Sequence, residues 1–267
     1  MADRSVSDTW ERGDPYERYV GRWSRQVAPR FLAWLGVPPG RRWLDVGCGT
    51  GALSAAILDQ AAPAALTAVE PSGGFLETAR RHLGPRAVLH QGSATALPLP
   101  DASVDVVVSG LVLNFVPEPP AALAEMRRVT ARGGTVAAYV WDYAEGMQLM
   151  RAFWDAAVAE DPAAAALDEG TRFPLCRPAA LTTAFEGAGL TGVEAIAIEV
   201  PTPFTSFADY WEPFLGGQGP APAYAMSLDE GARARLRDRV RARLPAAPDG
   251  SIALIARAWA VRGAVAA

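Results

Sequence analysis

The chain has 267 residues, half of them hydrophobic, with a charged fraction of 20% and a formal net charge of −4. That length suits one large domain or one domain plus a small cap, and the mild acidity gives no support to nucleic-acid binding through global charge. All 25 basic residues are arginine, which excludes a Schiff-base lysine, a phosphate-loop lysine and a lysine general base.

Cys48 and Cys176 form no CxxC pair, and His82 and His90 are the only histidines. No zinc or histidine-rich metal site is therefore expected. The N-terminal stretch is charged and lacks an apolar signal core, and no apolar run reaches the roughly 18 residues of a membrane helix. A soluble cytoplasmic protein without membrane contact is the expectation.

Residues 15–36 mix aromatic and aliphatic residues with arginines and are interrupted by Pro29, so two short helices are predicted in an N-terminal helical lid over 1–40. From there strand and helix alternate. Strands are predicted at 41–46, 65–69, 87–90, 104–109 and 135–141, and helices at 52–60, 74–83 and 119–130. Such alternation is the signature of a parallel, doubly wound α/β sheet. Val104 to Ser109 is β-branched and continuous, as befits a strand covered on both faces.

Beyond 141, helices are predicted at 146–160 and 178–188, and strands at 193–200 and 252–261. These complete a core of 41–200 and 252–267. The intervening 201–251 is too long for a hairpin loop and reads as a cap insert. Within it, a helix over 228–244 has Ser227 and Glu230 as a capping box and Ala232, Leu236 and Val240 as an apolar stripe. Its arginines at alternate positions from 233 to 243 read as a solvated face, because helical geometry scatters them around the cylinder.

The chemistry concentrates at 44–53. Gly47, Gly49 and Gly51 let the backbone turn tightly and approach a ligand where a Cβ would clash, and the helix that follows offers unpaired N–H groups to an anion. Glu70 ends the next strand, where a carboxylate can accept both hydroxyl hydrogens of a ribose. Gly47-x-Gly49-x-x-Ala52 also satisfies a nicotinamide-dinucleotide fingerprint, so a nicotinamide-dependent oxidoreductase is one alternative. Asp45 argues against it, since a carboxylate before the loop suits an ammonium group and repels a pyrophosphate. A cofactor-binding module without catalysis is the other alternative.

Leu44-Asp45-Val46-Gly47-Cys48-Gly49-Thr50-Gly51 resembles motif I of the class I S-adenosylmethionine-dependent methyltransferases. Glu70-Pro71-Ser72 is similar to that family's ribose segment, and Gly92-Ser93-Ala94-Thr95-Ala96-Leu97-Pro98-Leu99 to its adenine segment. Asp105 to Ser109 resembles its fourth strand, and Arg132-Gly133-Gly134-Thr135 the turn before its fifth. The likeness covers about 41–141 and is nearest to the small-molecule subgroup of ubiquinone and menaquinone biosynthesis; Tyr19-Val20-Gly21-Arg22-Trp23-Ser24 resembles its lid helix.

The resemblance implies a Rossmann-like, mostly parallel seven-stranded sheet with the last strand antiparallel, and S-adenosylmethionine as cofactor. By position, Gly47, Cys48, Gly49 and Gly51 would shape the methionine pocket and Asp45 would hold the amino group. Glu70 would bind the ribose, with Pro71 and Ser72 beside the adenine and Ser93 and Ala94 at its edge. Ser109, Gly110 and Leu111 would flank the sulfonium, and Tyr19, Arg22 and Trp23 would close over the carboxylate. The family usually has aspartate where Ser93 stands, which implies weaker adenine recognition.

Methyl transfer from a sulfonium needs placement and exclusion of water more than acid–base chemistry, and this fits a chain without lysine. Amines, carboxylates, phenolates and stabilised carbanions suit it better than aliphatic hydroxyls, which would need Glu118, Asp142 or a tyrosine as base. Residues after the fourth and fifth strands should face a small-molecule acceptor: Asn114, Phe115, Trp141, Asp142 and Tyr143. Phe204, Tyr210, Trp211 and Phe214 of the insert are candidates for an apolar or aromatic roof.

Overall fold

A computed structural model describes residues 21–216 and 219–267. Tyr19 lies outside them. One helix, α1 (Arg22–Leu35), replaces the two short ones expected, with Pro29 inside it. An interior proline costs about 3 kcal/mol. The helix survives because Val27, Phe31, Leu32 and Leu35 are buried along one side, each contributing roughly 1.5–3 kcal/mol.

Strand and helix then alternate as anticipated: β1 (Arg42–Val46), α2 (Ala52–Gln60), β2 (Ala65–Glu70), α3 (Gly73–Leu83), β3 (Val88–Gln91), β4 (Val104–Gly110), α4 (Pro119–Val129) and β5 (Thr130–Trp141). β5 begins five residues before its expected start, so Gly133-Gly134 lies within the strand instead of ending a turn. Gly134 must be glycine there, because a Cβ would stand 2.6 Å from the Asp105 carbonyl, and the β4–β5 register slips at that point. Further on come α5 (Gln148–Glu160), α6 (Glu169–Arg172), α7 (Pro178–Gly187), β6 (Thr191–Phe204), α8 (Phe207–Trp211), α9 (Pro220–Ser227), α10 (Glu230–Arg243) and β7 (Ile252–Ala264).

The strands form a seven-stranded sheet in the order β3-β2-β1-β4-β5-β7-β6. β1 pairs in parallel with both β2 and β4, β2 with β3, and β4 with β5. β7 runs antiparallel to β5, from Thr135 opposite Ala264 to Trp141 opposite Ala258. The order reverses between β1 and β4, and in an open α/β sheet ligands bind beyond the carboxyl ends at that switch point. Val106, Val107 and Val108 are all buried, as a centrally placed parallel strand requires.

The chain divides into two compact units. The sheet unit holds 25–141, 175–198 and 258–267; the cap unit holds 142–174, 199–257 and, of the N-terminal residues described, 21–24. The cap is thus more than the 201–251 insert. Its core is aromatic: Phe153 of α5 stacks on Phe214 at 4.6 Å and meets Trp154 edge-on at 5.3 Å. Glu169, fully buried, accepts the Trp154 indole N–H. Burial pushes its carboxyl up to about 7, against the pull of its own N–H and that of the indole.

Helix α10 is capped by Asp229, which accepts the Ala232 N–H at 2.7 Å. Ser227, expected in that role, instead donates to the Tyr224 carbonyl, because the helix starts two residues later than a Ser227 cap would need. The arginines of α10 are dispersed: Arg239 and Arg235 approach Glu160, Arg233 caps the Ala225 and Leu228 carbonyls, and Arg241 lies over Phe207. Among the described residues no helix is long and apolar enough to cross a membrane, and no cluster of His, Cys, Asp and Glu could hold a metal ion.

Candidate functional site

The glycine loop leaves the carboxyl end of β1 and closes on the end of β2. Gly47 and Cys48 both donate to the Val69 carbonyl, at 2.8 and 3.1 Å. Gly47, Gly49 and Gly51 all have positive φ, between +55° and +92°, the region that side chains disfavour. At Gly47 there is a second constraint, since a Cβ would lie 2.5 Å from Val112 Cγ1. At Gly49 there is open space instead, with nothing within 4 Å. Gly51 precedes α2 in a left-handed conformation and gives no side-chain cap, so the first N–H groups of that helix remain available to an acceptor.

Two carboxylates flank the loop. Glu70 accepts Gly49 N–H through Oε2 and Ser72 N–H through Oε1, each at 2.9 Å. Each oxygen keeps a lone pair for a further donor. Asp45 is 1% exposed. Its Oδ2 accepts the Ser54 hydroxyl at 2.6 Å, and its Oδ1 has no partner. Burial lifts its carboxyl to about 7, with the Ser54 hydrogen bond opposing and the Glu70 charge adding. A buried carboxylate with an orphan oxygen calls for a cationic donor. Cys48 is also buried, and burial followed by the charges of Asp45 and Glu70 pushes its thiol far up; it is a packing residue without nucleophilic character.

The far end of β4 is tied to β1 by Ser109, whose hydroxyl donates to the Val46 carbonyl at 2.9 Å. Gly110 leaves room for Tyr139, whose hydroxyl would lie 2.6 Å from a Cβ there. Leu111 follows with φ +61°, an uncommon conformation for a bulky side chain and one that concentrates at functional positions. Its N–H donates to the Tyr139 carbonyl at 2.7 Å. Asn114 has both amide atoms buried and unpaired, while Phe115 is 36% exposed. On the other side of β1, Ser72 caps α3, Pro71 accepts from the Gln91 amide, and Ser93 is exposed and bonded to Thr95; Ala94 stands beside it, half-buried.

The other acceptor candidates are enclosed. Trp141 is buried in β5. Asp142 is 2% exposed, and its Oδ2 pairs with Arg257 at 2.7 Å, so it is committed as an ion-pair partner. Tyr143 is buried against Phe173. Tyr210 donates its hydroxyl to the Leu149 carbonyl at 2.6 Å, and Trp211 packs on Phe153 and Phe214; like Phe204 and Phe214, both belong to the cap core. Arg22 and Trp23 also lie in the cap unit, where Arg22 pairs with Asp209. Ser54 and Tyr139 were not anticipated. Ser54 sits one turn into α2 on its buried face, which the strand–loop–helix register could have revealed, but Tyr139 carries no signal in the sequence.

Residues 44–138 match the methyltransferase domain family. That stretch is a class I S-adenosylmethionine-dependent methyltransferase domain. The chain is 38% identical over 112 residues to a malonyl-[acyl-carrier protein] O-methyltransferase of Serratia marcescens, a match covering 42% of this chain and 43% of that protein. A demethylmenaquinone methyltransferase of Renibacterium salmoninarum is 42% identical over 113 residues, 42% of this chain and 45% of its own. The matched stretch therefore spans less than half of these relatives. In fold, the chain resembles phosphoethanolamine N-methyltransferase 2 of Haemonchus contortus, solved with S-adenosyl-L-methionine: TM-score 0.59, 16% identity, 99% of this chain and 58% of that one. The family match runs from β1 into β5, across the glycine loop, Asp45 and Glu70, and the oxidoreductase alternative is set aside with it.

Proposed function

We propose that this methyltransferase binds S-adenosylmethionine beyond the carboxyl ends of β1, β2 and β4 and methylates a small-molecule acceptor. The observation that carries the reading is Asp45, a buried carboxylate with one oxygen unpaired beside a glycine loop. Such a group fits the ammonium of a methionine moiety. The N–H groups at the start of α2 fit its carboxylate. The spare lone pairs of Glu70 fit two ribose hydroxyls; Pro71, Ser72, Ser93 and Ala94 would border the adenine. Ser109, Gly110 and Leu111 would shape the reacting end.

When bound, the cofactor supplies a methyl group already activated by its positive sulfur. What remains for the chain is to orient the acceptor and exclude water. Asn114 suits orientation, since its amide offers a donor and an acceptor that nothing in the protein uses. Phe115 offers an apolar contact beside it. With Asp142 held by Arg257 and neither lysine nor, in either histidine, a base among these residues, the acceptor should carry its nucleophile ready-made. A carboxylate or a stabilised carbanion meets that need, and the two curated relatives bear names of a malonyl O-methyltransferase and a demethylmenaquinone methyltransferase.

Thermal unfolding with S-adenosylhomocysteine, S-adenosylmethionine or NAD tests the cofactor assignment. Stabilisation by the two sulfur compounds is expected; stabilisation by NAD alone would overturn it. Transfer of labelled methyl to malonyl thioesters and to hydroquinones tests the reaction. Cofactor binding with no transfer to any acceptor of these classes would favour a binding module without catalysis.

A further inference from the structure

A glycine-rich loop has little conformational restraint of its own. Thr50 lies between Gly49 and Gly51, whose φ angles are +55° and +92° and which have no side chain to hold their peptide planes. The Thr50–Gly51 peptide is tied at both edges all the same. Its N–H, on Gly51, donates to the Cys48 carbonyl at 2.8 Å. Its carbonyl, on Thr50, accepts from Nδ1 of His82 at 3.1 Å. A carbonyl oxygen only accepts, so Nδ1 carries the hydrogen, and in the neutral ring this bond selects the tautomer.

His82 stands exposed in the last turn of α3, 32 positions along the chain from Thr50. The same helix supports the loop through its apolar side. Ala79 and Leu83 are buried in a cluster with Cys48 and Ala68, and a Cβ on Gly51 would stand 3.2 Å from Leu83 Cδ1. At its start α3 is capped by Ser72, whose own N–H is held by Glu70. One helix, lying wholly in the sheet unit, thus carries Ser72 at its start and braces the glycine loop near its end.

The two kinds of brace do different things. Apolar packing keeps α3 close to the loop, but it is non-directional and does not set the rotation of a peptide plane. Hydrogen bonds at the two edges of the plane do. Without the one from His82, rotation would be taken up by ψ of Thr50 and φ of Gly51, and glycine opposes this little. Gly51 immediately precedes α2 and gives no side-chain cap. The direction of the free N–H groups in the first turn of α2 therefore depends on the plane that His82 holds.

We propose that His82 is a positioning residue of the cofactor site, whose bond to the Thr50 carbonyl sets the glycine loop and the start of α2 for the methionine end of the cofactor. Resting on the reading of the chain as an S-adenosylmethionine-dependent methyltransferase, this role uses one of its two histidines without any proton transfer. Because the loop serves the amino-acid end and Glu70 the ribose, the effect should be felt at one end of the ligand.

The test is calorimetric titration of the full chain with S-adenosylhomocysteine and with 5′-methylthioadenosine, which keeps the nucleoside and the thioether but lacks the amino-acid end. The parent is compared with His82→Phe and His82→Asn. Phenylalanine keeps a planar ring without a donor, and asparagine places an amide nitrogen the same number of bonds from the backbone as Nδ1. The three residues have similar helix propensities, so the end of α3 is left intact. His82→Phe should lose about three- to tenfold in S-adenosylhomocysteine affinity, the worth of a single hydrogen bond, while affinity for 5′-methylthioadenosine stays within about twofold. His82→Asn should recover most of the loss. Unchanged S-adenosylhomocysteine affinity in His82→Phe, an equal loss for both ligands, or a His82→Asn variant as weak as His82→Phe would each overturn the proposal. Failure of the parent to bind S-adenosylhomocysteine would refute the methyltransferase reading itself.

Discussion

Replacing Asp45 by asparagine should make the ligand-free protein more stable and its cofactor weaker. Burial lifts the Asp45 carboxyl from 3.8 to about 7. At 1.36 kcal/mol for each tenfold change in proton affinity, keeping it ionised in the fold costs roughly 4 kcal/mol. Asparagine removes that cost and still accepts the Ser54 hydroxyl. Its amide nitrogen then replaces the unpaired Oδ1, and a buried donor without a partner costs roughly 1–3 kcal/mol. The net gain is about 2 kcal/mol, or roughly 4–8 °C in Tm for a chain of this size. The sign with pH follows from linkage: a carboxyl raised in the fold is most favourable below the unfolded value, and that contribution is lost as pH rises to the folded one. The advantage of Asp45→Asn over the parent should therefore be absent at pH 4, grow to pH 7 and stay constant above. Because both proteins contain Glu169, its own titration cancels in the difference. Affinity for S-adenosylhomocysteine should fall roughly 10–100-fold, the value of a hydrogen bond to a charged group. Thermal melts from pH 4 to 8 and calorimetry check both halves. A variant less stable at pH 8, an advantage independent of pH, or unchanged affinity would refute the reasoning.

Other perturbations separate the roles of neighbouring groups. Glu70→Gln should lower S-adenosylhomocysteine affinity at least tenfold with a fold still intact by circular dichroism; Glu70→Ala should also destabilise by about 2–4 kcal/mol, because the Gly49 and Ser72 N–H groups both lose their acceptor. Gly47→Ala places a methyl 2.5 Å from Val112 at positive φ and should cost about 2–4 kcal/mol in denaturant melts; Val112→Ala in the same chain should recover part of this, and no recovery would mean the backbone strain dominates. Cys48 and Cys176 are both buried, and Cys48 is pushed further from ionisation. Neither should react with iodoacetamide at pH 8 in the folded protein, while both should react in guanidinium, as read by mass spectrometry.

Much of the sheet unit was legible in one dimension, because its determinants are local. A β-branched run such as Val104–Val108 can be satisfied only inside a covered sheet, and Gly47, Gly49 and Gly51 mark where the chain must adopt positive φ. The position of Glu70 at a strand end follows from the same alternation. Pro29 misled because its local cost is visible in sequence, whereas the burial of Val27, Phe31 and Leu35 that outweighs it is not. The Ser227 cap failed for a related reason: Asp229, two residues later, competes for the same helix start, and packing of Leu236 and Val240 sets which one wins.

The glycine loop between strand and helix and the alternation of strands and helices around it were thus determined by sequence alone, since both rest on backbone conformations and contacts between near neighbours, while the order of the strands was set in the folded sheet. Only the tertiary structure decided which polar atoms have partners. Tyr210 is bonded to Leu149 and Asp142 to Arg257, contacts across 61 and 115 positions, while Asp45 Oδ1 and the Asn114 amide are left over. A hydrogen bond is a matter of distance in space, and periodicity along a chain carries no record of it.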